Sequence, residues 1–232
     1  TNVPTITLNS LTISASCNFT APNSGTVTLT ISTSFSVPAG ISLSLATDGS
    51  FRLINITLSS TCTGSILGTV NIYSGNFGSA TFTNSGNLTL GSAAVITDGT
   101  YNSNFTLSSG STLQIGSAAG ITTTGTTGNI QVGGTRTYNA GANYLYNGTA
   151  AQVTGNGLPV ALTANLTINN SAGVSLSAAT GTSGTFTLSN GFLTTTTNLL
   201  AVTKTATTAG ANSNSAFVSG PLKWSLTNTA NT

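Results

Sequence analysis

The chain has 232 residues, of which six are charged, 4 Lys or Arg and 2 Asp or Glu, with no His and no Met. A net charge of +2 is too weak to hold nucleic acid or acidic lipid, so a groove lined with phosphate-binding Lys and Arg is excluded. Acid–base catalysis is nearly excluded too, because Glu and His are missing while Asp, Lys and Cys are scarce.

Hydrophobic residues make up 38% of the chain, enough for a core, and low net charge with that hydrophobicity is the opposite of a disordered composition. The polar residues are mainly Thr, Ser, Asn and Gly, which favour strands and turns over helix. No apolar run approaches the about eighteen residues of a membrane-spanning helix. The opening at Thr1 fits a processed product or a piece of something longer.

In chain order, residues 1–24 read as an N-terminal cap or the edge of a preceding module. Period-two alternation then marks short half-buried strands at Val27, Leu29 and Ile31, and at Ile41, Leu43 and Leu45. Further strands fall at Phe105 and Leu107, Leu113 and Ile115, Leu166 and Ile168, Val174 and Leu176, and Phe186 and Leu188. Gly, Asn and Ser interrupt them at a cadence shared by sandwiches, barrels and solenoids. An internal repeat chooses among these, because a solenoid returns to the same corner after every coil. Ser24-Gly25-Thr26-Val27, Asp48-Gly49-Ser50-Phe51, Ser74-Gly75-Asn76-Phe77 and Asp98-Gly99-Thr100-Tyr101 place glycines 24, 26 and 24 apart. A second, offset column keeps the same interval: Leu88-Thr89-Leu90-Gly91-Ser92-Ala93-Ala94 is matched by Leu113-Gln114-Ile115-Gly116-Ser117-Ala118-Ala119.

These features predict an all-β fold, a parallel β-helix (β-solenoid) with coils of about 25 residues, three short strands to a coil and corner glycines Gly25, Gly49, Gly75 and Gly99. About nine coils would make a rod on the order of 43 Å long. Residues 25–156 form the regular part; residues 157–232 continue it less regularly, or form a small β-sandwich starting near Gly157-Leu158-Pro159. Phe105-Thr106-Leu107-Ser108-Ser109-Gly110 recurs as Phe186-Thr187-Leu188-Ser189-Asn190-Gly191, which supports continuation. Outward Thr, Ser and Asn would form ladders between coils without the repulsion of stacked like charges.

The stretch Gly134-Thr135-Arg136-Thr137-Tyr138-Asn139-Ala140-Gly141-Ala142-Asn143-Tyr144-Leu145-Tyr146-Asn147-Gly148-Thr149-Ala150-Ala151-Gln152-Val153-Thr154-Gly155 resembles a segment of very long, repetitive surface proteins of Bacteroidota-type bacteria. Leu166-Thr167-Ile168-Asn169-Asn170-Ser171-Ala172-Gly173-Val174 and Phe217-Val218-Ser219-Gly220-Pro221-Leu222-Lys223 are similar to the same family. The resemblance implies an extracellular or cell-surface location, export by the type IX route, and an adhesin-like or filament-like role on parallel β-helical modules.

Candidate chemistry is sparse. Asp48 and Asp98 would sit at one corner two coils apart, near the upper limit for an inverting glycosidase pair, but both lie in Thr-Asp-Gly turns where Asp is a good turn residue. No metal or other cofactor is expected: calcium needs more carboxylate, and two Cys without His make no zinc site. Cys17 and Cys62 are a disulfide candidate pair, although their separation along the chain requires the N-terminal segment to fold back; free, they are small buried apolar residues. Tyr138, Tyr144 and Tyr146 are candidate glycan contacts if exposed and stacked core aromatics if they point inward. Trp224 beside Lys223 reads the same two ways. Asn-x-Ser/Thr sequons start at Asn18, Asn55, Asn87, Asn104, Asn147, Asn165 and Asn169, as expected by chance in a chain so rich in Asn and Thr. Thr26-Val27-Thr28 and Thr195-Thr196-Thr197 resemble pieces of an ice-binding face, but no such face repeats on every coil.

The expected function is therefore structural and non-enzymatic: a solenoid segment of a surface filament or adhesin that associates with itself or with flanking modules. The alternative is a carbohydrate-binding surface module, with a polysaccharide-cleaving β-helix enzyme or an ice-binding protein behind it.

Overall fold

The computed structural model describes residues 5–15, 17–20, 26–46, 53–58, 63–78, 81–98, 102–203, 208–209 and 216–225. Every ladder among them is parallel, and no helix occurs in them. Parallel strands cannot be joined by tight hairpins, so the chain must travel round before it pairs again. It does so as a β-solenoid with three walls, met in the order entry, central and exit.

Among the described residues the central wall stacks nine strands in file: Cys17–Thr20, Ser42–Ala46, the first part of Thr69–Gly78, the first part of Asn87–Thr97, Thr112–Ile115, Asn143–Tyr146, Leu166–Asn169, Phe186–Asn190 and Thr208–Ala209. The entry wall holds Thr63–Ile66, Thr81–Asn84, Phe105–Leu107 and Arg136–Tyr138, then Ala161–Leu162, Thr180–Thr182, Leu200–Thr203 and Leu222–Ser225. The later exit wall holds Gln152–Val153, Val174–Ser175, Leu193–Thr194 and Val218–Ser219. The described residues after 157 thus continue the solenoid with parallel ladders, and no sandwich forms among them. Thr5–Thr12 and Cys17–Thr20 already wind as a coil, paired in parallel with Thr26–Val37 and Ser42–Ala46.

Alternation puts one side of every strand into a common interior. Along the central wall Leu43, Val70, Leu88, Leu113, Tyr144, Leu166 and Phe186 follow one another in register, and all are buried. A parallel file Ile72, Leu90, Ile115, Tyr146 and Ile168 lies two residues on. On the entry wall Phe82 and Phe105 stack with ring centroids 6.1 Å apart and planes 13° from parallel. Each interior file fills the volume between two neighbouring coils, which is where the apolar area leaves water.

Coil length varies around the expected 25 residues. The step Asn87 to Thr112 is 25, but Thr69 to Asn87 is 18, Phe105 to Arg136 is 31, and the C-terminal steps Tyr144 to Leu166 and Leu166 to Phe186 are 22 and 20. The interior files constrain only the strands, so the connections between walls vary freely in length. The predicted glycine corner also changes. Gly75 lies inside the strand Thr69–Gly78, opposite Ala94 rather than Gly99, just past a register shift between Ile72 and Ser74. Gly25, Gly49 and Gly99 lie outside the described residues.

A different file of small residues marks the true entrance to the central wall. Asn87 N donates to Gly68 O, Thr112 N to Gly86 O and Asn143 N to Ser111 O. At this corner one coil's backbone crosses the next almost in contact: a Cβ built on Gly86 would lie 2.1 Å from Gly68 O. Gly184 repeats the contact against Ala164 O at 2.3 Å. Gly110 is a glycine for another reason, a positive φ of 79° in open space. Gly86→Ala is expected to lose about 3 kcal/mol of stability because backbone must move, whereas Gly110→Ala should lose only about 1 kcal/mol, the left-handed strain alone. Urea midpoints of the two variants check this; equal losses would refute the close-passage reading.

Candidate functional site

The coil from Phe105 to Arg136 is the longest, and its extra residues are spent on the exit wall. After Thr112–Ile115 the chain pairs forward, with Val153 N donating to Ala118 O at 2.9 Å and Ile121 N to Thr154 O at 3.2 Å. Residues 122–128, all Thr and Gly, then swing outward. The return pairs backward, with Ile96 N donating to Asn129 O and Gln131 N to Ile96 O, both at 2.7 Å. One coil thus contributes two rungs to this wall, with an exposed Thr–Gly loop between them.

Arg136 holds that loop. Its register partner is Phe105, itself in register with Phe82, so a guanidinium occupies the next interior position of an aromatic file, and only 7% of it is exposed. Its Nε donates to Val132 O at 3.0 Å, one terminal nitrogen donates to Thr122 O at 3.1 Å and Thr122 Oγ1 at 2.8 Å, and the other donates to Gly125 O. A fixed fork of donors suits backbone carbonyls that the loop's return would otherwise bury without partners. Burial lowers the Arg136 pKa, with Tyr138 and Asp98 opposing that effect. Tyr138 leans on Phe105 at 5.9 Å and 49°, and its hydroxyl donates to the same Thr122 O. Asp98, buried on the previous coil, accepts Ser103 N at 2.7 Å and Gly133 N at 2.8 Å on Oδ2. Two of the six charged residues therefore fasten this one irregular coil.

The other predicted site residues fall as follows. Tyr144 and Tyr146 are 1% and 0% exposed, with hydroxyls donating to Asn139 O and Thr154 O at 2.8 Å each. They are core aromatics, which corrects the glycan-contact reading, since neither ring offers a face to a sugar. Tyr138 is half-buried with its hydroxyl engaged. Thr195 is buried and Thr196 turns at a φ of 49°, so this threonine run forms no flat face. Asp48 and Cys62 lie outside the described residues; Cys17 begins a central-wall strand opposite Leu43. Of the sequons, Asn104 and Asn165 give their Oδ1 to the next coil as acceptors for Thr135 N and Thr185 N. Among the described residues no cluster of three His, Cys, Asp or Glu could hold a metal ion, and no helix is long and apolar enough to cross a membrane.

Two polar features went unread in the sequence. Gln152 and Asn170, both buried, form an amide cluster: Gln152 Nε2 donates to Ile115 O and Ser117 O, its Oε1 accepts Gly148 N, and Asn170 Nδ2 donates to Ala150 O and Gln152 Oε1. Beside it, a recess of about 250 Å³ is lined by Thr89, Ser92, Gly116, Asn147 and Thr149 among others. The Oδ1 of Asn147 is buried without a partner, while its Nδ2 donates to Gln114 Oε1. The recess is lined by hydroxyls and amides, with no charged side chain and no aromatic ring. The signal for Arg136 was present as alternation, Arg136-Thr137-Tyr138 echoing Phe105-Thr106-Leu107, but it appears only when one coil is allowed to outgrow its neighbours. No protein-family model, curated protein or solved structure matches the chain.

Arg136→Met is expected to keep the solenoid but release the 122–128 loop, with stability lowered by about 3 kcal/mol through unpaired carbonyls. Limited proteolysis should then cut within residues 122–128; protection equal to the parent would refute the clamp. Burial also raises the pKa of Tyr144 and Tyr146 above the ordinary value of 10.0. The fold keeps these hydroxyls neutral while the unfolded chain ionises them above about pH 10, so their contribution is complete below that pH and lost as pH rises. With no His or Glu, stability should be level from about pH 5 to 8, then fall above about pH 10 by up to about 1.4 kcal/mol per pH unit for each buried tyrosine. Urea titrations across that range, with tyrosinate absorbance as a second readout, check this.

Proposed function

We propose that the chain is a structural segment of an extracellular surface protein, a length of solenoid in a filament or adhesin that supplies reach and stiffness. The observation that carries this reading is the central wall, nine parallel strands among the described residues, with a buried interior file from Leu43 to Phe186. Each coil is bonded to the next along every wall, so bending the axis means breaking ladder hydrogen bonds and opening packed files together. The reading is supported on the negative side by how the reactive groups are used. Asp98 serves backbone amides, Arg136 serves backbone carbonyls and the Thr122 hydroxyl, and the Tyr138, Tyr144 and Tyr146 hydroxyls serve carbonyls. A mechanical role asks nothing more of them. The chain's polar residues are mainly neutral hydroxyls and amides, which suits a surface that faces changing salt and pH with little change in charge. The surface location rests on the resemblance of residues 134–155, 166–174 and 217–223 to long repetitive surface proteins.

Antibody raised against the 232-residue chain should label thin projections on intact producing cells in electron micrographs. Labelling that appears only after permeabilisation would overturn the surface assignment. Polysaccharide cleavage by the purified chain that disappears in Asp98→Asn would overturn the structural one.

A further inference from the structure

Asparagine followed by glycine is a step at which a peptide chain readily attacks itself, because a residue without a Cβ lets its backbone nitrogen swing onto the preceding side-chain carbonyl. The chain has three such steps: Asn147-Gly148, Asn156-Gly157 and Asn190-Gly191. The structure treats them differently. At the first, Gly148 N donates to Gln152 Oε1 at 2.8 Å and Asn147 Nδ2 donates to Gln114 Oε1 at 3.2 Å. At the second, Gly157 N donates to Ile121 O at 2.9 Å, and Asn156 Oδ1 accepts Thr123 N at 3.0 Å. Both the attacking nitrogen and the attacked amide are therefore held. At the third, Asn190 is exposed at the end of the strand Phe186–Asn190, and among the described residues neither its side chain nor Gly191 N makes a hydrogen bond.

We infer that Asn190 is a site of spontaneous modification, the Asn–Gly step at which the folded chain closes a succinimide and comes to carry aspartate or isoaspartate. The Gly191 nitrogen gives its proton to hydroxide and bonds to Asn190 Cγ. The Cγ–Nδ2 bond breaks, and the leaving nitrogen takes a proton from water and departs as ammonia. Water then opens the ring. Addition at Cγ gives aspartate; addition at the backbone carbonyl gives isoaspartate, whose chain runs through the side chain and is one methylene longer. The net change is water in and ammonia out. The corner cannot shed its glycine, because Gly191 has a positive φ of 75° and a Cβ built on it would collide with Asn170 O. The consequence falls on a shared rung. Asn190 O accepts Asn170 N at 3.0 Å, and Asn170 Nδ2 in turn holds Ala150 O and Gln152 Oε1. An extra methylene at position 190 displaces that acceptor, and either product adds a carboxylate to a chain that has two, Asp48 and Asp98. A neutral corner thus becomes charged with age. The reaction needs no partner and proceeds wherever the chain resides.

The purified 232-residue chain is incubated at mildly alkaline pH, digested with trypsin and read by tandem mass spectrometry, with enzymatic methylation of isoaspartate as a second readout. In the folded chain Asn190 should convert at least about tenfold faster than Asn147 or Asn156, since one hydrogen bond that must break first is worth about that factor in rate. In chain unfolded by urea the three should convert at comparable rates, because each is then simply an asparagine before a glycine. Asn190→Gln should remove the fast conversion and leave the circular dichroism unchanged. Comparable rates at the three sites of the folded chain would overturn the inference. So would a folded chain that modifies none of them while the urea-unfolded chain modifies all, which would mean that the corner holds Gly191 N away from Cγ. The same preference for Asn190 in urea would overturn it too, by assigning the rate to sequence and not to the fold.

Discussion

In a parallel stack every side chain lies about 4.8 Å from its counterpart on the next coil. That single spacing decides which residues the sequence can use. Two like charges held at that distance near a protein surface repel by about 3 kcal/mol, and a file of them multiplies the cost. Hydroxyls and amides carry both donor and acceptor, so a file of them attracts itself. Asn71 Nδ2 donates to Ser44 Oγ, Asn147 Nδ2 to Gln114 Oε1, and Ser85 Oγ to Ser108 Oγ across successive coils. The scarcity of charge follows from the architecture rather than from any ligand.

Two of the charged residues enter where the stack is irregular. Asp98 and Arg136 border the one coil that gives the exit wall two rungs, and neither stands over another charge in its file. The guanidinium takes a place that Phe82 and Phe105 fill on earlier coils, and burying it is tolerable because oxygen atoms of Thr122, Gly125 and Val132 surround it. An aromatic ring at position 136 would fill the volume equally well. It would leave those carbonyls without donors, so the loop and the arginine have to be present together.

The fold was legible wherever two coils share a step. Leu88-Thr89-Leu90 and Leu113-Gln114-Ile115 are true register partners, and the recurrence of Phe105-Thr106-Leu107 at Phe186-Thr187-Leu188 reflects the same inward alternation on different walls. The glycine signature misled at Gly75, which stands opposite Ala94 because the ladder does not keep the near-constant spacing of the signature. Steps as unequal as Thr69 to Asn87 and Phe105 to Arg136 separate positions that a fixed period would align. The close-passage corner escaped notice because its occupants differ in type, Gly68, Gly86, Ser111 and Gly184, and share only smallness. The tyrosines were ambiguous for a local reason: alternation shows that Tyr144 and Tyr146 share a face but cannot say which face is inward. The arginine clamp was invisible because it needs the excursion's carbonyls, and no sequence pattern announces where a loop will return.

Variable coil length and strict interior files have one further consequence. An insertion between walls leaves every file intact, as the 122–128 loop shows, so the sides of such a rod can be altered without disturbing the stack. The interior files have no such freedom: Leu88, Leu113, Tyr144 and Leu166 follow one another in register and all are buried. Sides and interior are therefore governed by different physics: the sides by neutral self-pairing of polar groups, the interior by the apolar burial that holds each coil to the next.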